Sequence, residues 1–545
     1  MHLLPRFFSI VLFVTLVITA WSGSNPPARA GEAVGPVFDL LITNGRVVDG
    51  TGNPWFRTDV GIKDGRIARL GRLNPADARQ TIDARGQIVA PGFIDVHTHV
   101  ESIYNQPAAE NFIRMGVTTL VTGNCGGSAV DVGQFLGRIK EKPLALNLAT
   151  LIAHGSVRRE AMGSADKLPT PDEMKKMEAF VEQGMKDGAV GLSTGLIYVP
   201  GTFAKTDEII ALARIAARYD GIYATHMRSE GEHVADAIRE SIQIGEQAGL
   251  PVEISHFKIS TKKLWGQTPM TLGLVREARS RGLMVTVDQY AYTASSTSLE
   301  SRLPSWLRAG GFVEAKKRLA DSATRERLLN EMKDTLKRSG FKDYSYAMVA
   351  SYTPDHSFNG KSIAEITNQV RGKKDVKSQI EQIIAMYEAG GAGMIYHAMD
   401  EDDVQRIMRE PFTMIASDSG VRQQDESVPH PRGYGNNVRV LGHYVRDLHV
   451  ISLEDAIRKM TSLPAQTFGF RDRGLVREGF AADLTIFDDK TVGDRATFDK
   501  PHQFPVGIST VIVNGEVVFQ SDRVTSARPG MALRGPAFIA TVARN

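Results

Sequence analysis

The stretch IVAPGFIDVHTHV, residues 88–100, carries the features on which the fold prediction depends. It is an apolar, β-branched run that is interrupted by Pro91-Gly92 and ends in His97-Thr98-His99. A short apolar run bounded by turn residues is typical of a buried strand. Side chains two residues apart on a strand share a face, so we expect His97 and His99 to present their imidazoles together. Such a pair is either half of a metal site or two ordinary turn residues.

Seven further apolar segments downstream have the length of strands. They cover residues 117–122, 144–151, 189–193, 221–225, 251–255, 283–288 and 412–417. Helical segments lie between them, among them 172–187, 207–219 and 232–248. Strands that alternate with helices indicate a parallel sheet, and with the opening strand the total of eight predicts an α/β fold, a TIM-like (β/α)8 barrel.

Both ends of the mature chain are rich in short β-type runs separated by turns. Asn44-Gly45 and Asp64-Gly65, flanked by apolar residues, predict β-hairpins. Segments 482–487 and 509–518 have the same character. We therefore expect one small β-sandwich domain built from both termini.

These patterns predict six segments. They are a signal peptide over 1–30, β-sandwich over 31–88 and 471–545, barrel strands one to seven over 89–294, an inserted lid subdomain over 295–394 and the barrel end with strand eight over 395–470. The lid is predicted because an insertion this long and rich in Lys, Arg and Ser is usually functional.

The first 30 residues have the pattern of a secretory signal peptide. Arg6 precedes the apolar run 7–20, and Ala28-Arg29-Ala30 is a small-x-small cleavage pattern. The run is too short for a typical membrane-spanning helix, and an uncleaved N-terminal anchor is the alternative. We expect an exported, periplasmic protein that begins near Gly31 and has no membrane attachment after cleavage.

The composition of the 545-residue chain is that of an ordinary soluble enzyme, with 42% hydrophobic and 23% charged residues. A net charge of +3 gives no reason to expect nucleic acid or an anionic membrane as a partner. The lone Cys125 excludes an intramolecular disulfide. The sequence does not indicate an oligomeric state.

Six metal-competent side chains occur at the ends of predicted strands, where a barrel of this kind carries its chemistry. They are His97 and His99 after the first strand, Cys125 after the second, His226 after the fifth, His256 after the sixth and Asp418 after the eighth. Each alone has a plain explanation as a strand-end polar group. The set favours a metal centre, because thiolate, imidazole and carboxylate are the ligands of zinc.

The motifs PGFIDVHTH, GNCG, THMRSEG, SHFK and ASDSG resemble those of the amidohydrolase superfamily and, more narrowly, of its N-acyl-D-amino-acid deacylases. The resemblance extends over essentially the whole mature chain. Many amidohydrolases supply a carboxylated lysine from strand four, but AVGLSTGL contains none, and the resemblance places Cys125 in that role. It implies one tight zinc site formed by Cys125, His226 and His256, and a second, weaker or empty site formed by His97, His99 and Asp418.

The activity implied by this resemblance is zinc-dependent hydrolysis of the amide bond of small N-acyl-D-amino acids, with Asp418 as base and then acid. The resemblance points to five substrate-binding residues: Tyr198, Lys258, Tyr290, Ser296 and Arg432. Lys258 follows His256 by two residues, which favours a pocket position over a solvated rim charge. Tyr290 is alternatively a packed aromatic residue.

Two other functions remain open. One is a dipeptidase, or another linear or cyclic amidase, on the same scaffold; the missing strand-four lysine argues against the cyclic-amide hydrolases. The other is a binding protein that has kept the barrel without catalysis.

Two motifs depart from the family pattern. HTH is followed by Val100-Glu101 where the family commonly has an acidic pair, and SHFK lacks the second histidine that often follows the ligand. These departures bear on substrate choice. Among the other histidines, His154 and His397 are candidates to line the cleft, and His430 to orient the loop of Arg432.

Overall fold

The computed structural model describes residues 37–538, and the predicted signal peptide lies outside them. Eight parallel strands, which we number barrel strands 1 to 8, form the centre of the molecule. They are Phe93–Asp95, Val117–Thr122, Asn147–Thr150 continued by Ile152–Ala153, Gly191–Gly195, Ile222–His226, Val252–Ile254, Val285–Gln289 and Thr413–Ile415. Each pairs with the next in chain order. Strand 8 closes on strand 1 through the Thr98–Ser419 bridge, so the predicted (β/α)8 barrel is confirmed.

Helices surround the barrel and share its main apolar core. They are Glu110–Ile113, Val132–Gly137, His154–Met162, Pro171–Lys186, Thr206–Ala217, Val234–Ala248, Thr268–Ser280, Glu401–Arg409, Arg432–Arg439 with its π-helical continuation Val440–Asp447, Leu453–Met460 and Ser462–Thr467. Local sequence sets their ends: Thr170 and Glu173 form a capping box before Pro171, and Gly249 ends its helix in the left-handed conformation. None of the helices within residues 37–538 has the length and apolar character needed to cross a bilayer.

The two chain ends build two sheets beside the barrel. The four-stranded sheet has the order Arg66–Gly71, Asp59–Lys63, Phe38–Thr43 and Ala78–Asp83. The seven-stranded sheet has the order Arg523–Val524, Glu516–Gln520, Ile508–Val513, Leu484–Phe487, Ile88–Pro91, Arg46–Val47 and Phe56–Arg57. Leu484–Phe487 pairs antiparallel with Ile88–Pro91, so N-terminal and C-terminal segments meet in one sheet.

The sequence around Asn44-Gly45 is not a hairpin, and that prediction was wrong. Phe38–Thr43 pairs with strands of the four-stranded sheet, whereas Arg46–Val47 pairs in the other sheet. The turn carries the chain from one sheet to the other, and a Cβ on Gly45 would lie 2.5 Å from Val89. Asp64-Gly65 does form the predicted hairpin, with φ values of 49° and 74°.

The opening stretch divides at Gly92 instead of forming one continuous strand. Ile88–Pro91 belongs to the terminal sheet and Phe93–Asp95 to the barrel. A side chain on Gly92 would overlap Thr118 of barrel strand 2, which explains why glycine stands at the point where the two units join.

A long insertion follows barrel strand 7 and has an apolar core of its own. Its sheet places Gly393–Tyr396 between Ser295–Ser298 and Ala347–Ser351, with antiparallel pairing on both sides. Its helices are Ser305–Arg308, Phe312–Leu319, Ser322–Ser339, Ile363–Arg371 and Val376–Glu388. The antiparallel pairing returns the chain beside residue 295, which brings the insertion back to the barrel mouth.

Candidate active site

All six predicted ligand residues meet at the C-terminal mouth of the barrel. The backbone is left-handed at three of them, with φ of 52° at Cys125, 37° at His256 and 50° at Asp418. Non-glycine residues in this conformation cost about 1–3 kcal/mol each and concentrate at functional sites. The same strain recurs at three strand ends. The fold therefore holds these residues in a backbone conformation that they would not favour locally.

The sulfur of Cys125 is the centre of the cluster. Its Sγ lies 3.3 Å from His97 Nε2, 3.7 Å from His226 Nδ1 and 3.6 Å from His256 Nε2. In tetrahedral zinc coordination, with Zn–S about 2.3 Å and Zn–N about 2.0 Å, sulfur and nitrogen are about 3.5 Å apart. The spacings to His226 and His256 therefore fit a zinc ion shared by these three residues.

Asp418 lies beside this centre and joins the remaining two histidines to it. Its Oδ1 is 3.1 Å from His99 Nε2 and 3.6 Å from His97 Nε2. The groups of donor atoms within 4.8 Å of one another overlap: they are Cys125 with His226 and His256, Cys125 with His97 and His99, and His97 with His256 and Asp418. The two expected triads thus form one continuous cluster, with the sulfur positioned between them.

Two carboxylates that sequence reasoning did not assign hold the histidines in place. Asp288, at the end of barrel strand 7, has Oδ2 3.0 Å from His97 Nδ1 and accepts a hydrogen bond from the His256 amide at 2.9 Å. Glu230 has Oε1 2.9 Å from His256 Nδ1. Carboxylates of this kind fix the orientation of metal-binding imidazoles. The strand-end position of Asp288 and the place of Glu230 in THMRSEG were the available indications.

Charge in the buried cluster is balanced by mutual contacts. Burial by itself would raise the pKa of Cys125, but His97 and hydrogen bonds from His226 and His256 hold the pKa of the thiol well below its usual value. Burial likewise opposes ionisation of Asp418, yet Arg432 and His97 keep its pKa well below the ordinary range. A thiolate and a carboxylate facing imidazoles form a donor set suited to a divalent cation.

The end of barrel strand 4 has no room for a side chain at Gly195. A Cβ on Gly195 would overlap the carbonyl oxygen of Cys125, and a Cβ on Gly126 would lie 2.7 Å from the Gly195 amide nitrogen. The loop that carries Cys125 therefore crosses directly over the end of strand 4. The backbone carbonyl of Cys125 occupies the space that a side chain at position 195 would need.

A cavity of about 570 Å³ lies over the cluster and is lined by four of the five predicted substrate-binding residues: Tyr198, Lys258, Ser296 and Arg432. Arg432 Nη1 is 2.9 Å from Asp418 Oδ2, and its Nη2 donates to the Ser296 carbonyl oxygen at 3.3 Å. Lys258 Nζ contacts Glu230 and lies 3.0 Å from His256 Nδ1. The sequence did not identify Arg302, Tyr396 and Arg422, which also line this cavity.

Tyr198 connects the barrel to the insertion. Its ring lies 4.9 Å from that of His226, and its hydroxyl is 3.0 Å from Thr297 Oγ1 on the first strand of the insertion. Since Thr297 itself lines the cavity, this contact places the insertion directly over the metal-ligand cluster.

Tyr290 lies outside the lining of this cavity. It is 1% exposed, its hydroxyl donates to the sulfur of Met399, and the Arg432 guanidinium lies 4.6 Å from its ring centre. Its place is beneath Arg432, as a packed aromatic residue.

The other histidines have structural contacts. His430 accepts the Arg432 amide hydrogen at Nδ1, so it orients that loop. His154 is buried against Glu208, and His397 packs on Phe498.

The sequence matches the model of the Amidohydrolase family over residues 80–519. This chain belongs to the amidohydrolase family. The resemblance of its motifs to that family is thereby confirmed, and the membership identifies the chain as a hydrolase. The match spans the barrel, the insertion and the strands Ile88–Pro91, Leu484–Phe487 and Ile508–Val513 of the seven-stranded sheet.

Three relatives are similar to this amidohydrolase over nearly its whole length. The D-aminoacylase of Alcaligenes xylosoxydans xylosoxydans is 35% identical, and the match covers 91% of this chain and 97% of the relative. A crystal structure of N-acyl-D-glutamate deacylase from Bordetella bronchiseptica, complexed with zinc and a phosphonate mimic of the tetrahedral intermediate, is 35% identical with a TM-score of 0.78. A D-aminoacylase structure with a binuclear metal centre, described by one-metal activation and second-metal attenuation, is also 35% identical to this chain, with a TM-score of 0.78. Each structural match covers 91% of this chain and 100% of the other.

Proposed function

We propose that this amidohydrolase is a zinc-dependent N-acyl-D-amino-acid deacylase, which hydrolyses the amide bond to a carboxylate and a free D-amino acid. The observation that carries the proposal is the Cys125 sulfur, placed 3.7 Å and 3.6 Å from His226 and His256 where the strand-four end is sterically closed. Relatives of similar length and fold are a D-aminoacylase and a zinc-bound N-acyl-D-glutamate deacylase, which supports the substrate class.

Cys125, His226 and His256 would hold the tightly bound zinc, and His97, His99 and Asp418 would contribute to a second, weaker position. Bound zinc polarises the scissile carbonyl and lowers the pKa of water. Asp418 is placed to take the proton from water and return it to the leaving nitrogen. Its contact with Arg432 at 2.9 Å keeps it ionised, which a proton acceptor requires.

The amino-acid half of the substrate carries a free α-carboxylate and needs cationic partners. Lys258, Arg432 and Ser296 lie together on the cavity wall beside Asp418 and meet this need. Tyr198 packs edge-on against the His226 ring in the same cavity. The carboxylate and the scissile bond are separated by one carbon in an N-acyl amino acid, and the adjacency of Arg432 to Asp418 fits this short spacing.

A substrate panel tests the proposal against its rivals. We expect hydrolysis of N-acetyl-D-amino acids, and much slower hydrolysis of the L-enantiomers, of dipeptides and of hydantoins, measured by amine release. Cleavage confined to dipeptides or to L-substrates would contradict the proposed specificity for N-acyl-D-amino acids. Purified protein that lacks stoichiometric zinc and cleaves none of these compounds would favour a non-catalytic binding protein.

We also propose that the protein is exported to the periplasm, on the basis of the signal-peptide pattern in residues 1–30. N-terminal sequencing of protein from a periplasmic extract is expected to begin near Gly31. Full-length protein recovered from the membrane fraction would instead indicate an uncleaved anchor.

A further inference from the structure

A second cavity, of about 630 Å³, adjoins the active-site cavity. His99 and Gly127 line both of them. The rest of its lining comes from the segments after barrel strands 1 and 2: Glu101, residues 128–131, Gln134, Phe135 and Arg138. It therefore starts two residues beyond the sulfur of Cys125 and leads away from the ligand cluster.

Gly127 leaves the junction between the cavities open. A Cβ built there would have the Asn124 carbonyl oxygen, 3.9 Å away, as its nearest neighbour, and the backbone is outside the left-handed region. Gly126 differs, because its φ of 77° and its contact with Gly195 require glycine. Backbone geometry thus does not demand a glycine at position 127, and the missing side chain keeps a passage clear.

Charge restricts the direction in which an N-acyl amino acid would lie. Among the described residues, the four Lys and Arg side chains of the active-site cavity follow strands 6, 7 and 8: Lys258, Arg302, Arg422 and Arg432. The segments after strands 1 and 2 contribute none to that lining. With its carboxylate on the cationic side and its carbonyl at the ligand cluster, the substrate would extend its acyl group over the cation-free part of the wall, which includes Gly127.

The two carboxylates of the second cavity and Arg138 already have partners in the protein. Glu101 accepts hydrogen bonds from Thr122 Oγ1 and the Gly123 amide at 2.7 and 3.0 Å. Asp131 caps the following helix through the Gln134 amide at 2.8 Å, and the Arg138 guanidinium lies 4.7 Å from the centre of the Tyr104 ring. Ala129, Val130 and Phe135 provide the apolar part of the cavity wall, and Asp131, Gln134 and Arg138 are exposed at its edge.

We propose that this second cavity binds the acyl chain of the substrate and that the enzyme deacylates D-amino acids carrying medium-length linear acyl groups. The inference rests on the proposed deacylase function and adds the class of acyl group to it. Burial of a methylene contributes about 0.8 kcal/mol when complete, and a groove open on one side gives about half of this, or about twofold per methylene.

The test measures kcat/KM for the acetyl, butanoyl, hexanoyl and octanoyl derivatives of D-methionine and D-glutamate. We expect kcat/KM to rise about twofold per methylene in the natural protein. Gly127→Leu, which closes the passage, and Val130→Trp, which fills the cavity, should each lower the octanoyl-to-acetyl ratio of kcat/KM about tenfold or more. Two variants are used so that a folding defect in one of them leaves the other informative.

Gly273→Leu is the matched control, since within residues 37–538 no atom lies within 4 Å of a Cβ built there. It should leave the octanoyl-to-acetyl ratio unchanged. A ratio below one in the natural protein, or a ratio that neither blocking variant alters, would overturn the acyl site. Cleavage of acetyl but not longer substrates defeats this inference alone, whereas cleavage of no D-substrate defeats the deacylase function with it.

Discussion

At Cys125 the backbone has a φ of 52°, and this turn directs the sulfur between His97, His226 and His256. A thiolate is a stronger zinc ligand than a neutral thiol, and the surrounding imidazoles lower the pKa of the thiol. A single sulfur thereby takes the position between two groups of ligands that would otherwise need a side chain from strand 4.

Asp418→Asn should remove the proton acceptor while keeping the shape of the side chain. We expect kcat on N-acetyl-D-methionine to fall by about three orders of magnitude, because positioned acid-base groups contribute about 10²–10⁴. Zinc bound by Cys125, His226 and His256 should stay, as metal analysis would show. Asp425→Asn, an exposed carboxylate in the same loop, serves as control. Near-normal turnover in Asp418→Asn would exclude this residue as the base.

Glu230→Gln tests the support of His256. Its carboxylate lies 2.9 Å from His256 Nδ1 and also contacts Lys258. Loss of such a carboxylate typically costs about 10–100-fold in metal affinity, and we expect a decrease of this size in a zinc-chelator competition. Glu232→Gln, two residues away in an exposed ion pair with Arg338, should leave zinc affinity unchanged. Equal affinities in the two variants would contradict the supporting role.

At the scale of elements, the end of barrel strand 4 and the loop after strand 2 share one space. Their contact leaves room for glycine alone at position 195. This contact fixes the path of the loop that carries Cys125. The insertion also shapes the site, since Thr297 and Ser296 of its first strand line the cavity.

Gly195→Ala should therefore disturb both stability and the site. A Cβ meeting the Cys125 carbonyl forces the loop to move, and overpacking of this kind costs about 1–3 kcal/mol. We expect a lower urea midpoint together with reduced zinc binding. Gly273→Ala provides the comparison. Gly273 lies within a helix with open space around it, so this substitution should raise the free energy of unfolding by about 0.5–1 kcal/mol. An unchanged urea midpoint and full zinc binding in Gly195→Ala would show that the Cys125 loop can move without loss of stability or of metal binding.

At the scale of the whole molecule, buried apolar clusters hold the fold together, and the metal-ligand side chains are not among their members. The barrel, the insertion and the terminal sheets each have buried apolar clusters made of other residues. The apolar side chains can thus hold the fold together without the metal, and bound metal adds to that stability.

Removal of zinc by a chelator should consequently abolish activity and leave the secondary structure in place. Added zinc at a thousandfold excess over its Kd should stabilise the folded state by about 4 kcal/mol and raise Tm. Far-UV circular dichroism, differential scanning calorimetry and activity after one equivalent of zinc measure the three effects. Loss of the circular dichroism signal on chelation would show that the metal is part of the folding core.

Much of the fold was accessible from local sequence because barrel strands and helices differ in periodicity and in their turn residues. The strand 117–122 was predicted exactly, and Asp64-Gly65 defined its hairpin through φ values that glycine and aspartate tolerate. The ligand residues were identifiable because parallel strands deliver their C-terminal ends to one mouth.

Other features depended on contacts between residues distant in sequence. Asn44-Gly45 has a hairpin pattern, but its flanking strands find partners in different sheets. Glu230 and Asp288 reach His256 and His97 only once strands 5, 6 and 7 lie beside strand 1 across the barrel mouth. Tyr290 packs beneath Arg432, which follows strand 8.

The sequence by itself determined the barrel, the terminal β-segments and the residues available for metal binding, because periodicity and turn chemistry are local properties. Only the tertiary structure decided that Cys125 stands between both ligand groups, which carboxylates orient the histidines and where the cavities lie. These depend on steric exclusion and electrostatic pairing across the barrel mouth, and such contacts form only when the strands are assembled.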